Sequence, residues 1–280
     1  MANKLESLPP ISEMMRGCGV EPKKAFGQNF LFDLNLTGKI ARSVPDIANS
    51  TVIEVGPGPG GLTRSLLTAG AKQVIAIEKD ITTEPILSKI ADASDGRLDI
   101  IFDDALKVFA NPGSDLRGMR AAICSNLPYN VGTELLIQWL HYVVDKNAPI
   151  DITSMTLMFQ REVAMRVVAK VGDKQYGRLA VLMSLVADSK ILFNVPNTAF
   201  FPAPKVQSAV VQVVPNADKI RALRGLDKIE KLTAKLFGQR RKMIRGIMQN
   251  VDWAQFGLTG TERAEELSPA KFAEMASVLF

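Results

Sequence analysis

Short, mostly apolar runs alternate along this chain with stretches whose apolar positions recur every three or four residues. Residues 51–55 (TVIEV), 73–77 (QVIAI), 98–102 (LDIIF) and 121–125 (AAICS) have strand length and the apolar content of strands covered on both faces. Between them, 62–69 and 82–91 carry helical spacing. Regular strand–helix alternation predicts a parallel sheet with helices on both faces. Residues 153–159 read as a fifth strand, followed by a helix from Arg161 to about Lys170. Residues 191–195 and 208–214 read as two further strands, close enough to form an antiparallel end to the sheet. After Pro215 only helical spacing remains, so Pro215-Asn216-Ala217 marks a boundary between 1–215 and a small helical domain, 216–280. The expected fold class is α/β. No internal repeat and no low-complexity segment interrupts the pattern.

A length of 280 residues suits one large domain and one small one. Each apolar run is broken by a charged residue well short of the roughly 20 residues a membrane-spanning helix needs. The first residues, MANKLESLPPISEMMRGCG, lack the apolar region of an export signal. The expectation is a cytoplasmic protein with no membrane contact. Cys18 and Cys124 are too few for a disulfide framework, and with His141 the single histidine no metal is expected. His141 and Cys124 read as structural. Residues 219–246 hold ten Lys or Arg against Asp227 and Glu230, a local +8 within a total of +5. A basic helical segment on an otherwise net acidic chain points to a polyanionic partner, with a solvated helix face as the competing reading.

The loop after the first strand, Glu54-Val55-Gly56-Pro57-Gly58-Pro59-Gly60-Gly61, admits two readings. Gly56, Gly58 and Gly61 satisfy the G-x-G-x-x-G dinucleotide pattern. Glu54 with Gly56, Gly58 and Gly60 gives E-x-G-x-G-x-G, the loop of enzymes that use S-adenosylmethionine. A pyrophosphate wants backbone N–H donors and positive potential. Pro57 and Pro59 each remove a donor, and Glu54 adds a carboxylate. S-adenosylmethionine has no phosphate and carries an ammonium and a sulfonium, so the loop suits it better than NAD. Glu78 follows the second strand, placed to accept from both ribose hydroxyls. Asp104 follows the third, placed to accept from the adenine amine. All of these fall at the carboxyl edge of the sheet, where open α/β folds bind ligands.

The fourth strand ends in Asn126-Leu127-Pro128-Tyr129. Asn and Pro favour a turn in any case. Beside a methyl donor, the same residues suit a flat ring bearing an amine. The lone pair of an exocyclic amine is delocalised into its ring. Two acceptors, the Asn126 side-chain oxygen and the Leu127 carbonyl, would hold its hydrogens out of plane. Pro128 would stiffen the loop and Tyr129 would stack on the base. That is catalysis by orientation and preorganised dipoles, and it needs no base–nucleophile pair.

With these residues in place, the chain resembles the rRNA adenine N6,N6-dimethyltransferases, most nearly the bacterial small-subunit (16S) branch whose loss confers kasugamycin resistance. Four ordered blocks carry the likeness: 24–31 (KAFGQNFL), the glycine loop with NLPY, 200–211 (FFPAPKVQSAVV) and 237–242 (FGQRRK). The resemblance implies a Rossmann-like methyltransferase domain that dimethylates two adjacent adenines in a hairpin near the 3' end of 16S rRNA. The implied partner is 16S rRNA within an immature small ribosomal subunit, with the protein acting as a monomer. Gln28, Asn29 and Leu31 would line the methionine end of the cofactor above Gly56 and Gly58, and Asn126 would bridge cofactor and target amine. Phe200, with Phe201 as its adjacent competitor, would stack on the target base opposite Tyr129. Lys205, Arg240, Arg241, Lys242 and Arg245 would bind RNA. Pro59 and the stretch Thr82-Thr83-Glu84 depart from the family pattern and bear on cofactor affinity. A macrolide-resistance type 23S rRNA methyltransferase, a DNA adenine methyltransferase and a non-catalytic ribosome assembly factor are the competing readings.

Overall fold

The computed structural model describes residues 4–23, 28–128 and 131–280. Nine strands are present among them: β1 (Phe30–Leu31), β2 (Thr51–Val55), β3 (Gln73–Glu78), β4 (Leu98–Phe102), β5 (Met119–Asn126), β6 (Ile150–Gln160), β7 (Ala187–Val195), β8 (Phe200–Phe201) and β9 (Ser208–Pro215). The helices are α1 (Lys4–Ser7), α2 (Ile11–Cys18), α3 (Leu34–Ala41), α4 (Gly61–Thr68), α5 (Glu84–Ala93), α6 (Ala105–Ala110) and α7 (Gly132–Val144). They continue as α8 (Arg161–Val168), α9 (Arg178–Val186), α10 (Ala217–Ala222), α11 (Leu226–Phe237), α12 (Ile244–Ile247) and α13 (Pro269–Leu279).

Seven strands form one sheet in the order β4-β3-β2-β5-β6-β9-β7. The first five run parallel, and β9 and β7 close the sheet antiparallel, as the adjacent strand signals led us to expect. From β2 the chain winds outward through β3 to β4, then returns to β5 on the other side of β2. The strand order therefore reverses between β2 and β5, and a reversal of this kind opens a crevice at the carboxyl ends of the two strands. The two-residue strands β1 and β8 pair separately, Phe30 with Phe201 and Leu31 with Phe200.

Alternation along the strands divides the apolar residues between the two faces. Ile53, Val55, Ile75, Ile77 and Ile123 join one cluster with α6, α7, α8 and α9. Val52, Val74, Ala76, Ala122 and Cys124 join the other with α2, α3, α4 and α5. Cys124 is fully buried there. The C-terminal helices pack on α9, so Leu232, Leu236, Phe272 and Met275 extend the first cluster. His141 of α7 contacts Glu230 of α11 at 2.8 Å, and Arg178 of α9 pairs with the same carboxylate.

Two elements differ from the sequence pattern for physical reasons. β7 begins at Ala187 rather than Ile191, because Asp188, Ser189 and Lys190 lie on a sheet edge where polar side chains meet solvent. α9 carries no clear period, since it is covered from several directions and buries Leu179, Ala180, Val181, Leu182, Met183 and Val186.

Between α8 and α9, Tyr176 is buried and its hydroxyl donates to the Leu267 carbonyl at 2.8 Å, tying the sheet layer to the C-terminal helices. Tyr176→Phe leaves that carbonyl without its buried donor, and urea denaturation should show a loss of about 1–3 kcal/mol.

Candidate active site

The site lies where the topology opens the crevice. At the end of β2 the chain turns through residues 56–60 into α4. Gly58 has φ +54°, and a Cβ on it would lie 2.7 Å from the Phe30 ring. A Cβ on Gly61 would lie 2.4 Å from the Leu31 carbonyl oxygen. Without side chains at these two positions, β1 can lie directly over the loop and the start of α4. The Gly58 amide donates to Glu78 Oε2 at 2.8 Å, and the Asp80 amide donates to Glu78 Oε1 at 2.7 Å. A loop amide that a pyrophosphate site would turn toward its ligand is here committed to a protein carboxylate.

Gln28, Asn29, Leu31, Glu54, Gly56, Gly58, Glu78, Asp104, Asn126, Leu127 and Pro128 all line one cavity of about 260 Å³. Two of its carboxyl groups are nearly sealed from solvent. Glu54 is 1% exposed and accepts from the Thr63 hydroxyl at 2.6 Å. Burial, opposed by that hydrogen bond and reinforced by Glu78, pushes the Glu54 carboxyl up to about 8. Burial also raises Glu78, against the two amides that hold it. Carboxyl groups in this condition gain most from a nearby positive charge. The donor set thus fits a nucleoside that bears cationic groups and no phosphate, as S-adenosylmethionine does.

Asp104 caps the N-terminus of α6, accepting from the Leu106 amide at 3.0 Å, and pairs with Lys79 at 2.7 Å. The Lys79 hydrogen bond holds its carboxyl below the ordinary range. Asp104 therefore enters the site as a carboxylate already shared with a lysine, an arrangement the sequence pattern did not anticipate. Asn126 donates its amide Nδ2 to the Asn29 carbonyl at 3.1 Å. With the nitrogen engaged there, the side-chain oxygen is the atom that can accept from a ligand in the cavity.

The aromatic residues divide. Tyr129 lies outside the described residues. Phe200 does not line the cavity; it is 5% exposed and packed in the cluster that holds Leu31, Met158 and Val210. Phe201 is 54% exposed and stacks on Phe32 with ring centroids 5.7 Å apart. Alternation along β8 turns one ring inward and the other outward, so the ring with an open face is Phe201.

The basic residues divide as well. Lys205, Arg240, Arg241, Lys242 and Arg245 are all exposed. Arg240, however, pairs with Glu265 and donates to the Lys174 carbonyl at 2.9 Å, so it already ties the turn after α11 to its surroundings. Lys219 and Arg221 likewise pair with Asp188 and Asp218. The local excess of charge is thus partly neutralised by Asp218 just before the segment and by Asp188 and Glu265 from other parts of the chain, which a count over 219–246 does not register. Also missed were Lys79, Asp103 and the cluster around Asp80. For Lys79 and Asp80 the signal lies in tertiary pairing and not in spacing, whereas Asp103 enters as a residue of the cavity wall.

Comparison with known proteins agrees with this geometry. A family model described as "Ribosomal RNA adenine dimethylase" matches residues 19–279. "Ribosomal RNA small subunit methyltransferase A" of Azorhizobium caulinodans is 49% identical, covering 98% of this chain and 94% of the relative. The protein of the same name from Mesorhizobium japonicum is 46% identical, covering 98% and 99%. Among solved structures, a dimethyladenosine transferase from Plasmodium falciparum superposes with a TM-score of 0.69 at 22% identity, covering 87% of this chain and 94% of that one. The 23S rRNA methyltransferase ErmE gives 0.65 at 22% identity, covering 89% and 98%. At these identities the two structures speak to the fold.

The raised Glu54 carboxyl has a consequence for stability. Between the ordinary carboxylate range and pH 8, the folded state keeps a proton that the unfolded chain releases, so the ligand-free protein loses stability as pH rises through that window. Glu54→Gln should therefore unfold at a higher temperature than the parent at pH 9, by on the order of a few kcal/mol of stability, and nearly with the parent at pH 5. In calorimetry the same variant should lose more affinity for S-adenosylmethionine than for its thioether product, which lacks the sulfonium charge.

Proposed function

The chain belongs to the ribosomal RNA adenine dimethylase family, and we propose that it dimethylates N6 of two adjacent adenines in a hairpin near the 3' end of 16S rRNA. In this reading it acts as a cytoplasmic monomer during small-subunit assembly, on rRNA within an immature subunit. The observation that carries the assignment is the convergence of the glycine loop, Glu78, Asp104 and Asn126 on one cavity at the sheet's switch point. Relatives 44–49% identical over nearly the whole chain bear the small-subunit name, which supports that substrate over a 23S one.

S-adenosylmethionine, when bound, supplies an electrophilic methyl group on a sulfonium. Glu78 would take its ribose hydroxyls, Asp104 its adenine amine, and Gln28, Asn29 and Leu31 its methionine end. Glu54, beneath the loop, would offer a carboxyl whose ionisation the cofactor's positive charge favours. Asn126 Oδ1 and the Leu127 carbonyl would accept both hydrogens of the target amine in the first transfer and the one that remains in the second, turning the lone pair out of the ring plane and toward the donor; each transfer leaves the thioether and releases one amine proton. The positive charge that develops on the nitrogen then faces the same two acceptors, which require no reorganisation during transfer. Pro128 fixes their direction, since its carbonyl accepts from the Gly132 amide at 3.1 Å and so anchors the turn into α7. Tyr129 would stack on one face of the adenine and an aromatic of β8 on the other. The adenine itself would come from an unpaired position of the RNA, where a base can be splayed out for chemistry.

The 216–280 region, with Arg241, Lys242 and Arg245, would hold phosphates. Alanine at Arg241 and Lys242 should flatten the dependence of log affinity on log salt by roughly 0.7–0.9 for each phosphate no longer neutralised.

Asn126→Ala tests the catalytic reading. With labelled cofactor and immature small subunits, methylation should fall by about 100-fold or more while particle binding persists. Undiminished methylation would remove Asn126 from the mechanism. Label recovered in 23S rRNA would favour the large-subunit reading, and a protein that binds particles without methylating them would favour the assembly factor.

A further inference from the structure

Asp80 lies two residues beyond Glu78 and caps the single helical turn Ile81–Thr83. It is 3% exposed, yet no pattern in the sequence assigns it a role. Its Oδ1 accepts from Lys23 Nζ at 2.7 Å and from the Thr82 hydroxyl and amide at 2.6 and 3.1 Å. Its Oδ2 accepts from Gln28 Nε2 at 3.1 Å. The Gln28 side-chain oxygen in turn accepts from the Lys23 amide at 2.8 Å, and Lys23 Nζ reaches the Thr82 hydroxyl at 3.1 Å. One carboxylate thus joins Lys23, Gln28 and Thr82. These hydrogen bonds outweigh the burial that works against its charge and hold it at about 2, so the clasp stays ionised throughout the working range.

The segment from Gln28 to Leu31 crosses the carboxyl ends of three strands. Beyond β3 it is held by Asp80; at β2 it lies against Gly58 and Gly61; at the end of β5 the Asn29 carbonyl takes the Asn126 amide. Asp80 is therefore a polar anchor of the segment that closes the cavity, and its own amide holds the Glu78 carboxylate from below. Thr82 completes the clasp with both its hydroxyl and its amide.

Resting on the methyltransferase reading above, we infer that Asp80 is a positioning residue for cofactor binding: it sets Gln28 and Glu78 together against the methyl donor through the clasp with Lys23 and Thr82. It does not line the cavity itself and reaches the ligand only through Gln28 and Glu78. Its loss should therefore act on the cofactor alone.

The test compares the parent, Asp80→Asn and Thr82→Val. KM for S-adenosylmethionine and kcat are measured on immature small subunits, Kd for S-adenosylhomocysteine by calorimetry without RNA, and particle affinity separately. Asp80→Asn keeps the shape but turns an amide nitrogen toward Gln28 Nε2. It should raise KM and Kd for the cofactor by about tenfold or more, the usual scale for a lost hydrogen bond to a charged group. At saturating cofactor, kcat should stay within about threefold of the parent and particle affinity should not move. Thr82→Val, a milder change that keeps Asp80 and Lys23 together, should give a smaller shift in the same direction. Cofactor affinity within about twofold of the parent in Asp80→Asn would overturn the inference, as would an equal loss of particle affinity or of kcat at saturation. If the parent itself neither binds the cofactor nor methylates the particle, the functional reading has failed, and the comparison separates that result from a failure of the clasp.

Discussion

Glu78 is a carboxylate nearly sealed from water at the edge of a parallel sheet, held on both oxygens by backbone amides. Burying such a group is costly unless its hydrogen bonds are made, and much of the local geometry follows from making them. The Gly58 amide can reach it only because the loop after β2 runs through positive φ, and the loop can lie there only because Gly58 and Gly61 leave room for β1. The Asp80 amide reaches it only because Asp80 turns the chain into the helical turn before α5. One buried acid therefore fixes the loop, the turn and the segment above them.

The same arrangement determines the kind of ligand that fits. The Gly58 amide is turned toward a protein carboxylate, those of Gly56 and Gly60 bond to the Ile77 and Pro57 carbonyls, and two prolines remove further donors, so little remains for a pyrophosphate. Glu54 and Glu78 instead present buried acid groups that a cation stabilises, and Asp104, held ionised by Lys79, extends that preference along the edge. A fold shared by many nucleotide-binding proteins is thus tuned toward a positively charged methyl donor through its acids rather than its topology. Across the crevice, Asn126 belongs both to the wall of the cavity and to the anchoring of the segment that closes it. In the proposed mechanism, loading of the cofactor and readiness of the amine acceptors would accordingly depend on one side chain.

Much of this could be read from the chain because the informative residues follow strand ends. Apolar runs located β2, β3, β4 and β5, and the residue after each run fell at the carboxyl edge by construction. That is why Glu78, Asp104 and Asn126 were legible as neighbours although they are far apart in sequence. What was hidden depends on pairing across the fold. Asp80 has no distinguishing pattern; its role appears only when Lys23 and Gln28 come down on it. Arg240 looks like its basic neighbours until Glu265 is found against it. Phe200 and Phe201 cannot be ranked from a dipeptide, whereas two strand residues must face opposite ways. The short pair β1–β8 escaped notice because two residues carry no period.

The central claim is that this cavity is the methyl-donor site, with Glu78 and Asp104 as its polar contacts. The most direct measurement is a crystal structure of the protein with S-adenosylhomocysteine. The expected result places the ribose hydroxyls on the Glu78 carboxylate and the adenine amine on Asp104, with Gln28 still joined to Asp80. A ligand seated elsewhere, or one in the cavity that leaves both carboxylates untouched, would contradict the account.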